Sequence, residues 1–77
     1  MKREEFLTEL EEAWEAPAGS LKPTDPLRSL GCWNSMAALV FMSLADQKLQ
    51  IEIGGADVQK CTTVQDLIGL LGNKISD

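Results

Sequence analysis

Leu30-Gly31-Cys32-Trp33-Asn34-Ser35-Met36-Ala37-Ala38-Leu39-Val40-Phe41-Met42 is where this chain changes character. The residues before it include Pro17, Gly19, Pro23 and Pro26, which discourage continuous helix. The residues after it, from Met36 to Leu49, contain neither glycine nor proline and are rich in helix formers. A helix therefore starts near Ser35 and is expected to run to about Lys48. Ser35 sits at its mouth, where a hydroxyl has two uses. It can cap the free backbone N–H groups, or it can carry a phosphate, because those N–H groups and the helix dipole favour an anion.

Upstream, Phe6, Leu7, Leu10, Ala13 and Trp14 recur at helical spacing between Lys2 and Ala16. Glu4, Glu5, Glu9, Glu11, Glu12 and Glu15 are expected on the solvated face, and Pro17 should end this first helix. From Pro17 to Asn34 the chain reads as a long loop. Leu21, Leu27 and Leu30 are placed to pin it over the helices, with a short turn beginning near Thr24-Asp25-Pro26. In the second helix Met36, Leu39, Val40, Phe41, Met42 and Leu44 cover more than one apolar stripe. Such a helix is central or shows an apolar patch to a partner.

Downstream, Leu49-Gln50-Ile51-Glu52-Ile53 alternates like a strand, but nothing else in the chain offers it a partner, so an extended connection is expected. Gly54-Gly55 breaks the chain, and Asp57 to Cys61 suits one short helical turn. Thr62 and Gln65 have capping-box spacing ahead of a last helix. Val64, Leu67, Ile68 and Leu71 form its buried stripe, and Gly72-Asn73 its stop. Three main helices and a short one predict an all-α antiparallel four-helix bundle, one domain over residues 1–77.

Composition narrows the function. Seventy-seven residues with 44% apolar content suit one small core. Net charge is −5, without a basic cluster, which argues against nucleic acid or an anionic membrane as partner. The longest uncharged run, between Arg28 and Asp46, is short for a membrane span. There is no histidine, which removes the Ser/His and Cys/His nucleophile–base pairs and the usual metal ligands. Cys32 and Cys61 lack the spacing of a zinc site and do not suggest a disulfide framework. With few cysteines and no secretory signal pattern at the charged start, a reducing cytoplasm is the expected location, and a monomer is expected as well. Cys61 should pack as a small apolar residue. No enzyme mechanism offers itself and no metal site is expected.

The order of these elements resembles the acyl carrier proteins, small four-helix domains bearing 4′-phosphopantetheine. In that family a serine in an Asp-Ser-Leu motif at the start of the second helix receives the group through a phosphodiester. Asn34-Ser35-Met36 matches it here. Leu49-Gln50-Ile51-Glu52-Ile53 is similar to the family's extended link, and Cys61-Thr62-Thr63-Val64-Gln65-Asp66-Leu67 to the start of its last helix. The resemblance covers nearly the whole chain. It implies that Ser35 is the attachment site for a covalent 4′-phosphopantetheine arm. The arm would ferry an acyl or aminoacyl group as a thioester between enzymes. Implied partners are a phosphopantetheinyl transferase, which is metal-dependent, and the enzymes that load and receive the cargo.

Three positions depart from the family pattern. Asn34 replaces the aspartate that helps recruit the transferase, keeping its shape and capping ability without its charge. Cys32 and Trp33 both intervene where one residue is usual. Trp33 either fills space beneath the loop or contacts the arm or a partner, and Cys32 reads as a bystander. The second helix has Asp46 but otherwise lacks the acids that dock basic partners, offering Ala37, Val40 and Met42 instead. Recognition should then be more apolar than charge-steered, which suits a carrier in a specialised fatty acid, polyketide or related pathway. The competing expectation is the same fold left unmodified, a non-catalytic module binding a partner through the second helix.

Overall fold

A computed structural model of the chain describes residues 1–31 and 33–76. Among them are four α-helices: α1 (Arg3–Ala13), α2 (Ser35–Leu49), α3 (Gly55–Gln59) and α4 (Val64–Gly69). Two 3₁₀ turns, Leu27–Ser29 and Gly72–Lys74, complete the regular structure. The all-α expectation holds.

Helix α1 closes at Ala13, four residues before Pro17. Glu15 takes a left-handed backbone, φ 57°. The Ala16 N–H reaches the Glu11 carbonyl at 2.8 Å and the Glu15 N–H reaches that of Glu12 at 3.2 Å. This is a Schellman termination, so the helix stops on backbone geometry and Pro17 merely follows. Phe6, Leu7, Leu10 and Trp14 are buried as the spacing requires, whereas Ala13 is exposed.

Glu11 corrects the acidic-face reading. It is 5% exposed, and its Oε2 accepts the Leu21 N–H at 3.0 Å. A buried loop amide needs an acceptor, and here a helix carboxylate supplies it.

That bond is the first of several that hold the long loop. Farther along, the Val64 and Gln65 N–H groups, free at the start of α4, donate to the Asp25 carbonyl at 3.0 Å and the Pro23 carbonyl at 2.9 Å. The Leu27 N–H returns a bond to the Thr62 carbonyl at 2.8 Å. Leu21 and Leu27 are buried and Leu30 is half-buried against the core. The loop is therefore a fixed strap joining α1 to the mouth of α4.

Helix α2 has three faces. Ala37, Phe41, Leu44, Ala45 and Leu49 turn into the core, where Phe41 meets Phe6 edge-to-face with ring centroids 5.9 Å apart. Truncating Phe41 to alanine would cost about 3–5 kcal/mol. The other two faces are taken up below.

The helix runs one residue beyond Lys48. Gln50 then turns left-handed, φ 54°, which breaks the strand-like alternation. Residues 51–54 form the expected extended link, with Ile51 and Ile53 half-buried and Glu52 exposed. Helix α3 covers Gly55–Gln59, two residues earlier than the turn expected from Asp57, and buries Val58.

The capping box of α4 also lies one residue later than the sequence reading placed it. Thr63 is the cap, its Oγ1 accepting the Asp66 N–H at 3.2 Å. Asp66 Oδ2 accepts from the Thr63 and Thr62 N–H groups and the Thr62 hydroxyl, at 3.1, 2.9 and 2.9 Å. The one carboxylate oxygen thus serves both threonines, and Thr62 joins the box from outside the helix through its N–H and its hydroxyl. Val64, Leu67, Ile68 and Leu71 are all buried.

Candidate functional site

Ser35 is the first residue of α2 and is exposed. The residue before it does the capping: Asn34 is extended, and its Oδ1 accepts the Ala37 N–H at 2.8 Å. A short polar side chain at this position competes well for the first-turn amides. The choice between cap and phosphate carrier is thereby narrowed. Asn34 is the cap, and among the described residues the Ser35 hydroxyl makes no hydrogen bond.

The orientation of the helix mouth is set from below. Trp14 Nε1 donates to the Ala37 carbonyl at 3.0 Å, tying the end of α1 to the first turn of α2. Ala37 itself is 5% exposed. Its expected place on a partner surface is therefore corrected: two residues past Ser35, it points into the core.

Trp33 lies edge-to-face on Trp14 with centroids 5.7 Å apart, and it is half-buried. Its two expected uses are not exclusive, because one side of the indole fills space against Trp14 while the residue also lines the groove next to Ser35. Cys32 lies outside the described residues.

The groove runs between α2, α3 and the strap and encloses about 890 Å³, within the range of small-molecule sites. Ser35, Ala38, Leu39 and Met42 present one face of α2 to it at spacings of three, four and seven residues. Val58 and Gln59 of α3 form the opposite wall. Cys61, Thr62 and the strap residues Leu27 and Arg28 complete it. The lining is mostly apolar, and Asn34 and Ser35, Arg28, Gln59 and Thr62 supply its polar side chains.

The third face of α2 carries Met36 and Val40, which line shallow clefts against Ala13. Met36 is 66% and Leu39 54% exposed, an apolar surface on either side of the serine. Val40 and Met42 are half-buried, and Asp46 is exposed farther along, beside Glu52. The candidate partner residues thus separate. Met42 belongs to the groove, Val40 to the cleft beside Met36, and Asp46 to the far end of the helix.

A family model described as a phosphopantetheine attachment site matches residues 4–71. The chain belongs to this phosphopantetheine-attachment family. A solution NMR structure of holo acyl carrier protein from Geobacter metallireducens superposes with a TM-score of 0.74. The match covers 96% of this chain and 86% of that one at 19% identity, a likeness of fold. No curated protein matches the sequence significantly. The prosthetic group of the carrier domain is a covalently attached 4′-phosphopantetheine.

The residues present fit such a group. An exposed hydroxyl, unused by the cap, stands at a helix N-terminus that favours a phosphodiester. The adjoining groove, about 890 Å³ and mostly apolar, suits a slender, mostly neutral chain. Cys61 in its wall is half-buried with Sγ 3.5 Å from the Asp57 carbonyl. Burial pushes its thiol pKa up, and the charges of Asp66 and then Asp57 push it further. A thiol kept protonated is a poor nucleophile.

The groove residues Arg28, Leu39, Val58, Gln59 and Thr62 were not singled out for a site from the sequence. Leu39 had a usable signal, since it follows Ser35 by four residues and shares its face. Arg28, Gln59 and Thr62 had none, because tertiary packing alone brings the strap and α3 to α2.

Proposed function

We propose that Ser35 is the attachment residue and that the domain carries an acyl or aminoacyl group as a thioester on the arm. The observation that carries the reading is the division of labour at the helix mouth. Asn34 satisfies the first turn, which leaves the neighbouring exposed hydroxyl available for chemistry at the edge of an 890 Å³ groove. The arm's thiol carries the cargo; the chain's own residues hold the root of the arm, bury part of it and present it. No catalytic group is assigned to the domain, in keeping with the carrier role of its family. Among the described residues no helix is long and apolar enough to cross a membrane.

Partner recognition, on this reading, uses the exposed apolar residues Met36 and Leu39 with Val40, and Asp46 at the far end. A surface with so little charge binds by desolvation more than by steering, which fits dedicated partner enzymes of a specialised biosynthetic pathway. The partners would be a phosphopantetheinyl transferase and the enzymes that load and unload the cargo.

Co-expression with a phosphopantetheinyl transferase followed by intact mass measurement tests the proposal. The parent chain should gain the mass of one arm and Ser35→Ala none. An unmodified interaction module would instead show no added mass and would keep its partner binding in Ser35→Ala.

A further inference from the structure

The groove beside Ser35 contains one charged residue among the described residues that line it, and that residue is a cation, Arg28. The chain as a whole has 12 acidic residues against 7 lysines and arginines, so an acid-free wall with a lone arginine runs against the composition. The backbone beneath Arg28 is firmly set. It is the middle residue of the 3₁₀ turn Leu27–Ser29. Leu27 is 1% exposed and its N–H is held by the Thr62 carbonyl. Ser29 donates both its N–H and its hydroxyl to the Pro26 carbonyl, at 3.0 and 2.8 Å.

The side chain itself is exposed, and among the described residues the guanidinium has neither an ion pair nor a hydrogen bond. A rigid base with an uncommitted cationic head, facing the groove that begins at Ser35, is an arrangement for receiving an anion. A phosphodiester on Ser35 would place two non-bridging oxygens at the mouth of that groove. An arginine fork matches such a pair of oxygens better than lysine's point charge does.

We propose that Arg28 grips the phosphodiester that joins the arm to Ser35, acting as a positioning residue that lays the root of the arm along the groove. The inference rests on Ser35 being the attachment residue. The first-turn amides of α2 and the helix dipole contribute from one side of the phosphate, and Arg28 from the other. The contact is exposed and therefore salt-sensitive.

The test uses the parent chain, Arg28→Gln and Arg28→Lys, each loaded with an unacylated arm so that the diester is the arm's main anion. Intact mass reads loading separately: a parent chain that accepts no arm overturns the Ser35 reading, and this inference with it. In the loaded proteins the ³¹P resonance of the parent should be displaced and broadened relative to Arg28→Gln, with Arg28→Lys in between. Loading should raise the parent's Tm by about 1–4 °C more than it raises that of Arg28→Gln. That difference should vanish in about 0.5 M salt. An identical ³¹P position, linewidth and Tm gain in the parent and Arg28→Gln would overturn the inference. So would an Arg28 effect that emerges only when a carboxylated cargo is loaded, since it would assign the residue to the cargo.

Discussion

The two longer-range helix mouths of this small domain, those of α2 and α4, are built to opposite ends. At α4 the backbone is closed from every side. Thr63 caps Asp66, Asp66 accepts from Thr62 and Thr63, and the carbonyls of Pro23 and Asp25 take the Gln65 and Val64 amides. At α2 one side chain, Asn34, takes one amide, the next residue is an exposed serine, and a groove opens beside it. Both mouths favour an anion electrostatically. At α4 that preference is met by the chain's own aspartate. At α2 no acidic residue stands in the first turn, which keeps the place for a phosphate. The comparison teaches that the structural terminus and the proposed functional one differ in what is left unsatisfied.

Exchanging damage between the two mouths should therefore separate loading from stability. The largest effect is expected from Ser35→Ala: loading falls to zero by intact mass, while Tm changes by no more than about a degree or two, because an exposed residue without a hydrogen bond is lost. Next comes Glu11→Ala at the strap. It strands the buried Leu21 amide and should lower stability by about 1–3 kcal/mol in urea unfolding. A loaded fraction close to the parent's is expected if the protein is assayed below its midpoint.

Thr63→Ala should cost about 1 kcal/mol with loading unchanged, and Asn34→Ala a similar amount with loading impaired as well. Asn34→Asp keeps the cap, adds a charge favoured at the helix N-terminus, and should load at least as fast as the parent.

The smallest effect concerns pH. The hydrogen bonds from Thr62, then those from Thr63, hold the Asp66 carboxyl below its ordinary value of 3.8. A carboxyl depressed in the folded state stabilises the fold above its unfolded pKa and loses that contribution as pH falls through the folded value. Asp66→Asn should accordingly flatten the loss of Tm below about pH 4 and leave the Tm profile near neutrality parallel to the parent's.

Most of the fold was legible because it rests on local rules. The apolar spacing of Phe6, Leu7 and Leu10 and the stripe from Val64 to Leu71 needed no tertiary information. The start of α2 at Ser35 was legible for a similar reason, since a loop with three prolines gives way to a proline-free helix beside it. What escaped was tertiary. Glu11 sits in a run of glutamates and becomes an acceptor only because the strap passes over it at Leu21. Ala37 looks like any small residue on a surface helix until Trp14 is seen bonded to its carbonyl. The capping box slid by one residue because Thr62 and Thr63 are both competent, and it is the Thr63 hydroxyl that accepts the Asp66 N–H while Asp66 bonds both. Arg28 was silent in the sequence, because the turn that aims it is fixed by Thr62, far along the chain.

The most direct measurement is the position of the arm. After loading by a phosphopantetheinyl transferase, trypsin should release residues 29–48, cut after Arg28 and after Lys48, a fragment containing Ser29, Ser35 and Ser43. Tandem mass spectrometry of that fragment is expected to place the phosphopantetheine on Ser35. An arm on Ser29 or Ser43, or an unmodified fragment from fully folded protein with an active transferase, would contradict the assignment of the open helix mouth as the carrier site.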